Sequence, residues 1–561
     1  MMGGLLVYFQ YQALFFWLVL AAGWTISALN RRKERLRRLG SSRHKTVDNK
    51  THRCSGGGGG SPDDAVAGDD ARNLPSSFGC GVAAGGGSGG SGSVTHADAG
   101  VGNANHGDKV DGAVRRVASP ARSRCGLYIP PSTALMPPVC VVMPVKGCRP
   151  HSVDNWTSLL NLQYGADLEF VLVVESREDA AVKALEEVQK KTAFEAGGPV
   201  GRMRREVKMR VVVAGLAQRC SQKAHNLCAG IESCDPRAAR EGGYILCLDD
   251  DVALHPSSLM DLVADLQQRP DVFMATGYPF DVPSPGSSFA AYLALAYHLP
   301  LLIAFSVAPN TSFVWGGCML LRADRLLPGD PGGLLRAWRN GGYSDDLILA
   351  SYCTERRLKI RVPPFAIFPQ RLDDRMTWAA WLNYLHRQLF VLDTYTNEHN
   401  RKTNHSMMWL HSILSWLLVL PSLAALLTLV SRLCKLLVGI VTVVAVGRYG
   451  LVAGEEALLL PLLQLPGGLV AVAAGWAAAH GALIFMTAEI LALFRVLSPN
   501  PVVPHVSLSW FRWGRLWAAM MLSNVVLPVV MAYTYFTPTV VWGGVVYRKR
   551  RGKVAPICRR G

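Results

Sequence analysis

The chain has 561 residues, 50% of them apolar, and a formal charge of +17 from 58 Lys and Arg against 41 Asp and Glu. This excludes a disordered chain and a simple soluble domain, and leaves room for one large catalytic domain plus membrane segments. The cations cluster beside apolar runs rather than along one soluble face, which points to an anionic membrane surface and not to nucleic acid.

Residues 5–29 form an almost continuous apolar and aromatic run, long enough to cross a hydrocarbon core of about 30 Å as a helix. The collar Arg31-Arg32-Lys33-Glu34-Arg35-Leu36-Arg37-Arg38 follows at once, and no charge precedes Gln10. A cleavable signal peptide carries its cations first, so 1–38 is expected to be a retained anchor with its basic end in the cytosol. Residues 39–125 are dominated by Gly, Ser, Ala and Asp and hold few large apolar groups. Such a stretch cannot offset its ordering entropy, and a disordered tether without chemistry is expected.

Residues 126–400 alternate short β-branched runs, at 139–145, 168–175, 207–213 and 244–248, with helical stretches. That rhythm predicts an α/β sheet with helices on both faces and ligands at the carboxyl ends of the strands. Run 244–248 leads straight into Asp249-Asp250-Asp251. Asp249 and Asp251 can converge on Mg2+ or Mn2+, which take hard oxygen ligands and would bridge the carboxylates to a diphosphate. Acidic triplets also serve as solvated turns or helix caps.

Run 289–307 is apolar but broken at His298-Leu299-Pro300, which fits an interfacial or lipid-facing helix better than a full span. His298 is either a satisfied interface residue or part of an acceptor site. Asp345-Asp346 follows Gly341-Gly342-Tyr343-Ser344 and opens a helical stretch at 347–353. A helix cap and a general base require the same geometry there. Trp378, Trp381 and Tyr384, at three-residue spacing, read as the apolar face of an interface helix.

Beyond residue 400 candidate spans lie at 408–430, 436–463, 466–494 and 516–536, the second interrupted by Arg448, Glu455, Glu456 and Pro461. Residues 401–547 are thus expected to be a membrane region and 548–561 a basic tail. The basic loop 495–515 and the run Tyr547-Arg548-Lys549-Arg550-Arg551-Gly552-Lys553 both call for the cytosolic side. Four simple crossings cannot satisfy both. Glu455, Glu456 and Glu489 are the obvious charges inside apolar runs, and Glu489 either faces a helix bundle or pairs with Arg495. The thirteen cysteines include no Cys-x-x-Cys pair and read as reduced, cytosol-side thiols.

Taken together these residues resemble the membrane-bound inverting GT-A glycosyltransferases, and within them the ceramide glucosyltransferase family. The resemblance rests on Met143-Pro144-Val145-Lys146-Gly147, Lys223-Ala224-His225-Asn226-Leu227, Leu248-Asp249-Asp250-Asp251, Val314-Trp315-Gly316-Gly317-Cys318-Met319-Leu320-Leu321-Arg322, Ser344-Asp345-Asp346-Leu347 and Tyr384-Leu385-His386-Arg387-Gln388. Their order and spacing extend across residues 138–395, and Pro538-Thr539-Val540-Val541-Trp542 is similar to that family's C-terminal end. The resemblance implies a GT-A type α/β nucleotide-sugar domain with a mixed sheet, plus N-terminal and C-terminal transmembrane helices.

Carried over position by position, it implies that Pro144, Lys146, Glu175, Lys223 and Asp249 line the UDP-sugar pocket. Asp249 and Asp251 would hold Mg2+ or Mn2+, Asp346 would be the catalytic base, and Arg387 would meet the diphosphate. The acceptor side would take in Asp345, His298, Trp315, Gly316 and Gln388. Two positions depart from the pattern. Ser176 stands where the animal enzymes place Asp, with Glu175 just before it, and the final motif has Tyr384 first and Gln388 in place of tryptophan.

The implied reaction transfers glucose from UDP-glucose to ceramide in one inverting displacement, with no carboxylate nucleophile. The implied setting is a Golgi or endoplasmic reticulum bilayer with the catalytic domain facing the cytosol. The alternatives are another lipid glycosyltransferase, a processive polysaccharide synthase, and a non-catalytic transporter or scaffold. A polymer synthase calls for several firm spans and a full Arg-Trp motif at Arg387.

Overall fold

The computed structural model describes residues 2–51, 136–149, 151–196, 208–447, 467–498 and 506–559. Two units are distinguished, Met1–Ser42 with Ile129–Gly561, and Arg43–Tyr128. Of the second, residues 43–51 are described, and they are helical.

Helix α1 (Met2–Thr51) contains the expected anchor but does not stop at residue 38. Only Gly40 interrupts the helix-compatible residues that follow the collar, and one glycine costs only about 1 kcal/mol. The first part of the expected tether, 39–51, is therefore helical, whereas 52–125 lies outside the described residues.

The four β-branched runs become β1 (Val139–Pro144), β2 (Leu168–Val174), β3 (Lys208–Val213) and β4 (Tyr244–Leu248). Between them come α2 (Ser152–Leu160), α3 (Ala180–Ala196), α4 (Gln222–Glu232) and the short α5 (Arg237–Arg240). Next in the chain are α6 (Ser258–Gln267), β5 (Val272–Thr276), β6 (Tyr278–Val282), α7 (Phe289–Leu301), β7 (Asn310–Thr311) and β8 (Cys318–Arg322). Then follow α8 (Leu334–Arg339), α9 (Asp345–Glu355), β9 (Lys359–Arg361), β10 (Ile367–Arg371) and α10 (Trp378–Leu392).

Eight strands form one sheet in the order β3-β2-β1-β4-β8-β5-β9-β7, and β6 pairs with β10 separately. Strands β3, β2, β1 and β4 are parallel, so their carboxyl ends share one edge. Strand β8 runs antiparallel between β4 and β5, which makes the sheet mixed. Alternate residues feed two cores, as a two-residue period demands. Val139, Val141 and Met143 pack with Trp156, Leu185 and Leu262, while Cys140 and Val142 pack with Leu227, Ile231 and Trp338.

Helix α7 does not break at His298-Leu299-Pro300 as the sequence suggested. It passes through Pro300, which sits in its last turn, and goes on as a 3-10 turn, Leu302–Phe305. The C-terminal region contains α11 (Glu398–Gly447), α12 (Gly467–Leu497) and α13 (Trp513–Phe536). Helix α11 merges the span expected at 408–430 with the start of the one expected at 436–463, because Ser431-Arg432-Leu433-Cys434-Lys435 contains no helix breaker. The rest of the latter span, with Glu455 and Glu456, lies outside the described residues. Among the described residues four helices are long and apolar enough to cross a membrane, within Val7–Gly40, Glu398–Thr442, Gly467–Leu497 and Trp513–Phe536.

The expected basic tail is largely built into a three-stranded antiparallel sheet of β11 (Thr539–Trp542), β12 (Val545–Arg550) and β13 (Lys553–Arg559). The boundary drawn at 547/548 falls inside β12, whose first half, Val545, Val546 and Tyr547, is buried and whose second half carries Arg548, Lys549 and Arg550. Glu489 pairs with Arg35 of the collar at 2.9 Å and not with Arg495. Collar residue Arg38 reaches Asp261 of α6 at 2.8 Å, so the collar also docks the anchor onto the sheet domain.

Candidate active site

The carboxyl edge of the parallel strands gathers the polar residues. Lys146 leaves β1, Glu175 leaves β2, and Asp249-Asp250-Asp251 leaves β4. Lys146 and Glu175 form an ion pair. Pro144 ends β1 in register with Val173, half-buried beneath them.

Lys223 organises the centre of the edge. It lies in the first turn of α4, whose N-cap Ser221 accepts from the Ala224 amide. Its ammonium is 2.8 Å from Asp249 Oδ1 and 3.1 Å from Asp345 Oδ2, and it donates to the Gly316 carbonyl at 3.2 Å. Burial disfavours this charge, yet Asp249 and Asp345 outweigh burial and hold the Lys223 pKa above its ordinary value. Burial raises the Asp345 carboxyl despite Lys223, with Asp346 and Asp249 adding repulsion. Asp249 is raised in the same way. The Asp345 oxygen facing Lys223 is buried and has no aligned hydrogen bond.

Asp346 stands in the first turn of α9, N-capped by Ser344. Its Oδ1 accepts from the Leu347 amide at 2.8 Å and from the Ser344 hydroxyl, and its Oδ2 accepts from the Gly316 amide at 3.3 Å. Capping and a poised carboxylate thus coexist, as a helix N-terminus permits. The Gly316 backbone thus joins Asp346, through its amide, to Lys223, through its carbonyl. A Cβ there would lie 2.8 Å from Asp345 Oδ2 and 3.1 Å from Lys223 Nζ, so the position requires glycine. The preceding Trp315 stacks on Phe368 and donates its amide to Thr276.

The other half of the acidic triplet is held differently. Arg149 reaches Asp251 at 2.9 Å and Asp250 at 3.5 Å, and Gln370 on β10 donates to Asp251 at 3.2 Å. Burial raises Asp250, with Asp251 and Asp249 adding to it. Asp249 and Asp251 are each about one-third exposed and present hard oxygens at one strand end. Lys223 and Arg149 face these acids, so Asp249 and Asp251 are the two carboxylates that could hold a divalent cation, while among the described residues no group of three or more His, Cys, Asp and Glu gathers to hold one.

His298, expected on the acceptor side, meets buried Asp281 through Nδ1 at 2.6 Å and the Tyr384 hydroxyl through Nε2. Asp281 on β6 is in register with Gln370, which ties this chain to the acidic triplet. Arg387, three residues beyond Tyr384 on α10, lies 5.7 Å from the Tyr384 ring and 5.2 Å from that of Trp542 on β11. Gln388 is half-buried one residue further on, and no polar contact ties it to this cluster.

Sequence reasoning missed Arg149, Gln370, Asp281 and Trp542. Arg149 follows the Lys146-Gly147 turn closely enough to have been considered. Nothing local singles out the other three, which arrive through strand pairing and chain reversal.

A profile of glycosyl transferase family 21 matches residues 121–388, just under half of the chain. No curated protein matches it. Among solved structures the chain is similar to the mannosyltransferase PcManGT from Pyrobaculum calidifontis in complex with GDP-Man and Mn2+, at 16% identity over 66% of this chain and 89% of that one, TM-score 0.34. It is also similar to S. aureus TarS 1-349 in complex with UDP, at 11% identity over 74% and 98%, TM-score 0.26. A third is glucosyl-3-phosphoglycerate synthase from Mycobacterium tuberculosis with Mn2+, UDP and glucosyl-3-phosphoglycerate, at 14% over 46% and 78%, TM-score 0.24. The family match supports a nucleotide-sugar glycosyltransferase.

Proposed function

We propose that the protein is a ceramide glucosyltransferase of the GT-A type, transferring glucose from UDP-glucose to ceramide with inversion to give β-glucosylceramide. One observation carries the reading: the Gly316 amide donates to Asp346 while its carbonyl accepts from Lys223, whose ammonium also pairs with Asp249 and Asp345. A base and a diphosphate-side cluster therefore share one backbone hinge.

In this reading Asp346 accepts the proton of the primary hydroxyl of ceramide. The new C1–O bond forms as the bond from the anomeric carbon to the phosphate oxygen breaks, and its electron pair leaves with UDP. Asp249 and Asp251 hold Mg2+ or Mn2+, which when bound neutralises charge on the leaving diphosphate. Lys146, Glu175, Pro144 and Lys223 line the nucleotide-sugar side, and Arg387 meets the diphosphate. Trp542 stands beside Arg387, so the C-terminal sheet supplies the aromatic neighbour that Gln388 does not. His298, Trp315, Gly316, Asp345 and Gln388 belong to the acceptor side, next to apolar α7.

The domain division follows, with a membrane anchor at 1–38, a tether at 39–125, the transferase at 126–400, a membrane region at 401–547 and a basic end at 548–561. The collar end of α1 touches the transferase domain through Arg38 and Asp261, which supports a cytosolic active site on a Golgi or endoplasmic reticulum membrane. The Arg35–Glu489 pair joins two helices, which supports a structural role for Glu489 over ion transport.

Replacing Asp346→Asn tests the base. Transfer to ceramide is expected to fall roughly 10²- to 10⁴-fold while UDP-glucose binding stays within about twofold. Transfer at the wild-type rate would overturn the assignment.

A further inference from the structure

Helix α13 (Trp513–Phe536) has the length and apolarity of a membrane span: its 24 residues extend about 36 Å at 1.5 Å each. Where its two ends are tied decides otherwise. We propose that α13 does not cross the bilayer but lies in the leaflet facing the catalytic domain, as an interfacial helix on a lipid surface. The inference does not depend on the transferase reading.

The leading end is bonded to the sheet domain. Arg512 donates to the Pro285 carbonyl at 2.8 Å, and the Tyr292 hydroxyl links the Trp510 carbonyl and the Arg512 amide at 3.0 and 3.2 Å. The Phe511 and Phe280 rings lie 5.9 Å apart. The loop that receives Arg512 is water-facing: Pro285 and Gly286 are exposed, and Ser287 holds Asp374 within the exposed stretch Asp373-Asp374-Arg375.

The trailing end returns to the same domain. Lys549 donates to the Thr534 carbonyl at 2.7 Å and pairs with Asp393 beyond α10. Strands β12 and β13 then bond directly to the sheet domain. The Gln222 amide donates to the Tyr547 hydroxyl at 3.1 Å, Val554 donates to the Gly341 carbonyl at 2.9 Å, and Lys553 donates to Asn340 at 2.9 Å. A helix crossing a hydrocarbon core of about 30 Å would place these two charged anchor points on opposite sides of the membrane. Both are instead attached to one domain, beside its exposed polar residues Asp373, Asp374 and Arg375 at one end and Asn340 and Lys553 at the other.

The flanks of α13 match this placement. It packs on apolar α7, and Trp416 of α11 donates to its Val525 carbonyl at 3.2 Å. Val529, Tyr533 and Phe536 remain 59%, 58% and 81% exposed, which gives acyl chains a face to cover. Arg512 before it, Arg515 in its first turn, and the cations of β12 and β13 after it then lie on one side, where an anionic leaflet attracts them. The conflict between two basic segments that both require one side of the membrane disappears.

Thiol accessibility in sealed vesicles tests the placement on the full chain. Cys558 on β13 and Cys148 on the sheet domain are natural exposed thiols, and Ser509→Cys adds an exposed one just before α13. A membrane-impermeant maleimide is applied before and after permeabilisation, with peptide mapping of each site. The expected result is that all three thiols share one accessibility pattern. Opposite patterns for the introduced thiol and Cys558 would overturn the proposal. If Ser509→Cys does not accumulate, Ser507→Cys at the neighbouring exposed position gives the same reading.

Discussion

Lys223 is the residue on which the acidic centre depends. It is one largely buried ammonium between buried Asp345 and Asp249, the latter about one-third exposed, and removing it strands both. Lys223→Met is expected to cost about 3–5 kcal/mol of stability, the usual penalty for breaking a buried pair by deleting one partner. The sign of its pH dependence follows from Asp345 and Asp249, whose carboxyls are raised in the folded protein by burial. A carboxyl with a raised folded pKa contributes stability that is present below its unfolded pKa, roughly 4, and is lost as pH rises through the folded value. Without Lys223 both values climb further. The melting temperature of the variant should therefore fall from pH 5 to pH 8 more steeply than that of the wild type. A variant whose melting temperature tracks the wild type across that range would show that the ammonium does not hold the two acids.

At the scale of elements, the C-terminal sheet acts on α10 and on the loop before α9. Tyr343 packs with Phe390, Val540, Val545, Tyr547 and Val554, so the segment that delivers Ser344 and Asp346 is braced by strands β11 to β13. Trp542 in addition faces Arg387. Trp542→Ala is expected to remove a contact of about 1 kcal/mol and to weaken UDP-glucose binding roughly fivefold, while Trp542→Phe retains most of it. Equal affinity in the Ala variant and the wild type, measured by titration calorimetry, would detach Trp542 from the nucleotide side. The contrast between strands and contacts shows what was readable beforehand. Runs 139–145 and 244–248 announced β1 and β4 because a strand buried on both faces reads as an unbroken apolar run, runs 168–175 and 207–213 announced β2 and the edge strand β3 by their β-branched residues, and the acids closing the run 244–248 marked the carboxyl ends of the strands. Asp281, Gln370 and Trp542 were silent because their neighbours come from distant segments, and no local pattern encodes such a meeting. The span divided near 430–436 is one helix because Ser431-Arg432-Leu433-Cys434-Lys435 contains no helix breaker, whereas the apolar run interrupted at His298-Leu299-Pro300 does leave the α-helix one residue later, at Leu301.

For the whole molecule, three contacts bind the membrane helices and the sheet domain into one body: Arg38 with Asp261, Arg35 with Glu489, and the Trp24 indole with the Leu299 carbonyl at 3.1 Å. Helix α1 thereby rests against α7, whose His298 reaches Tyr384 beside Arg387. The central claim is tested most directly by incubating the full-length protein in liposomes with radiolabelled UDP-glucose and ceramide, with and without EDTA, followed by glycolipid chromatography. The account predicts a β-glucosylceramide product that disappears on chelation and returns with Mg2+ or Mn2+. Label recovered in a long polymer, or in no lipid at all while the protein remains folded, would contradict it.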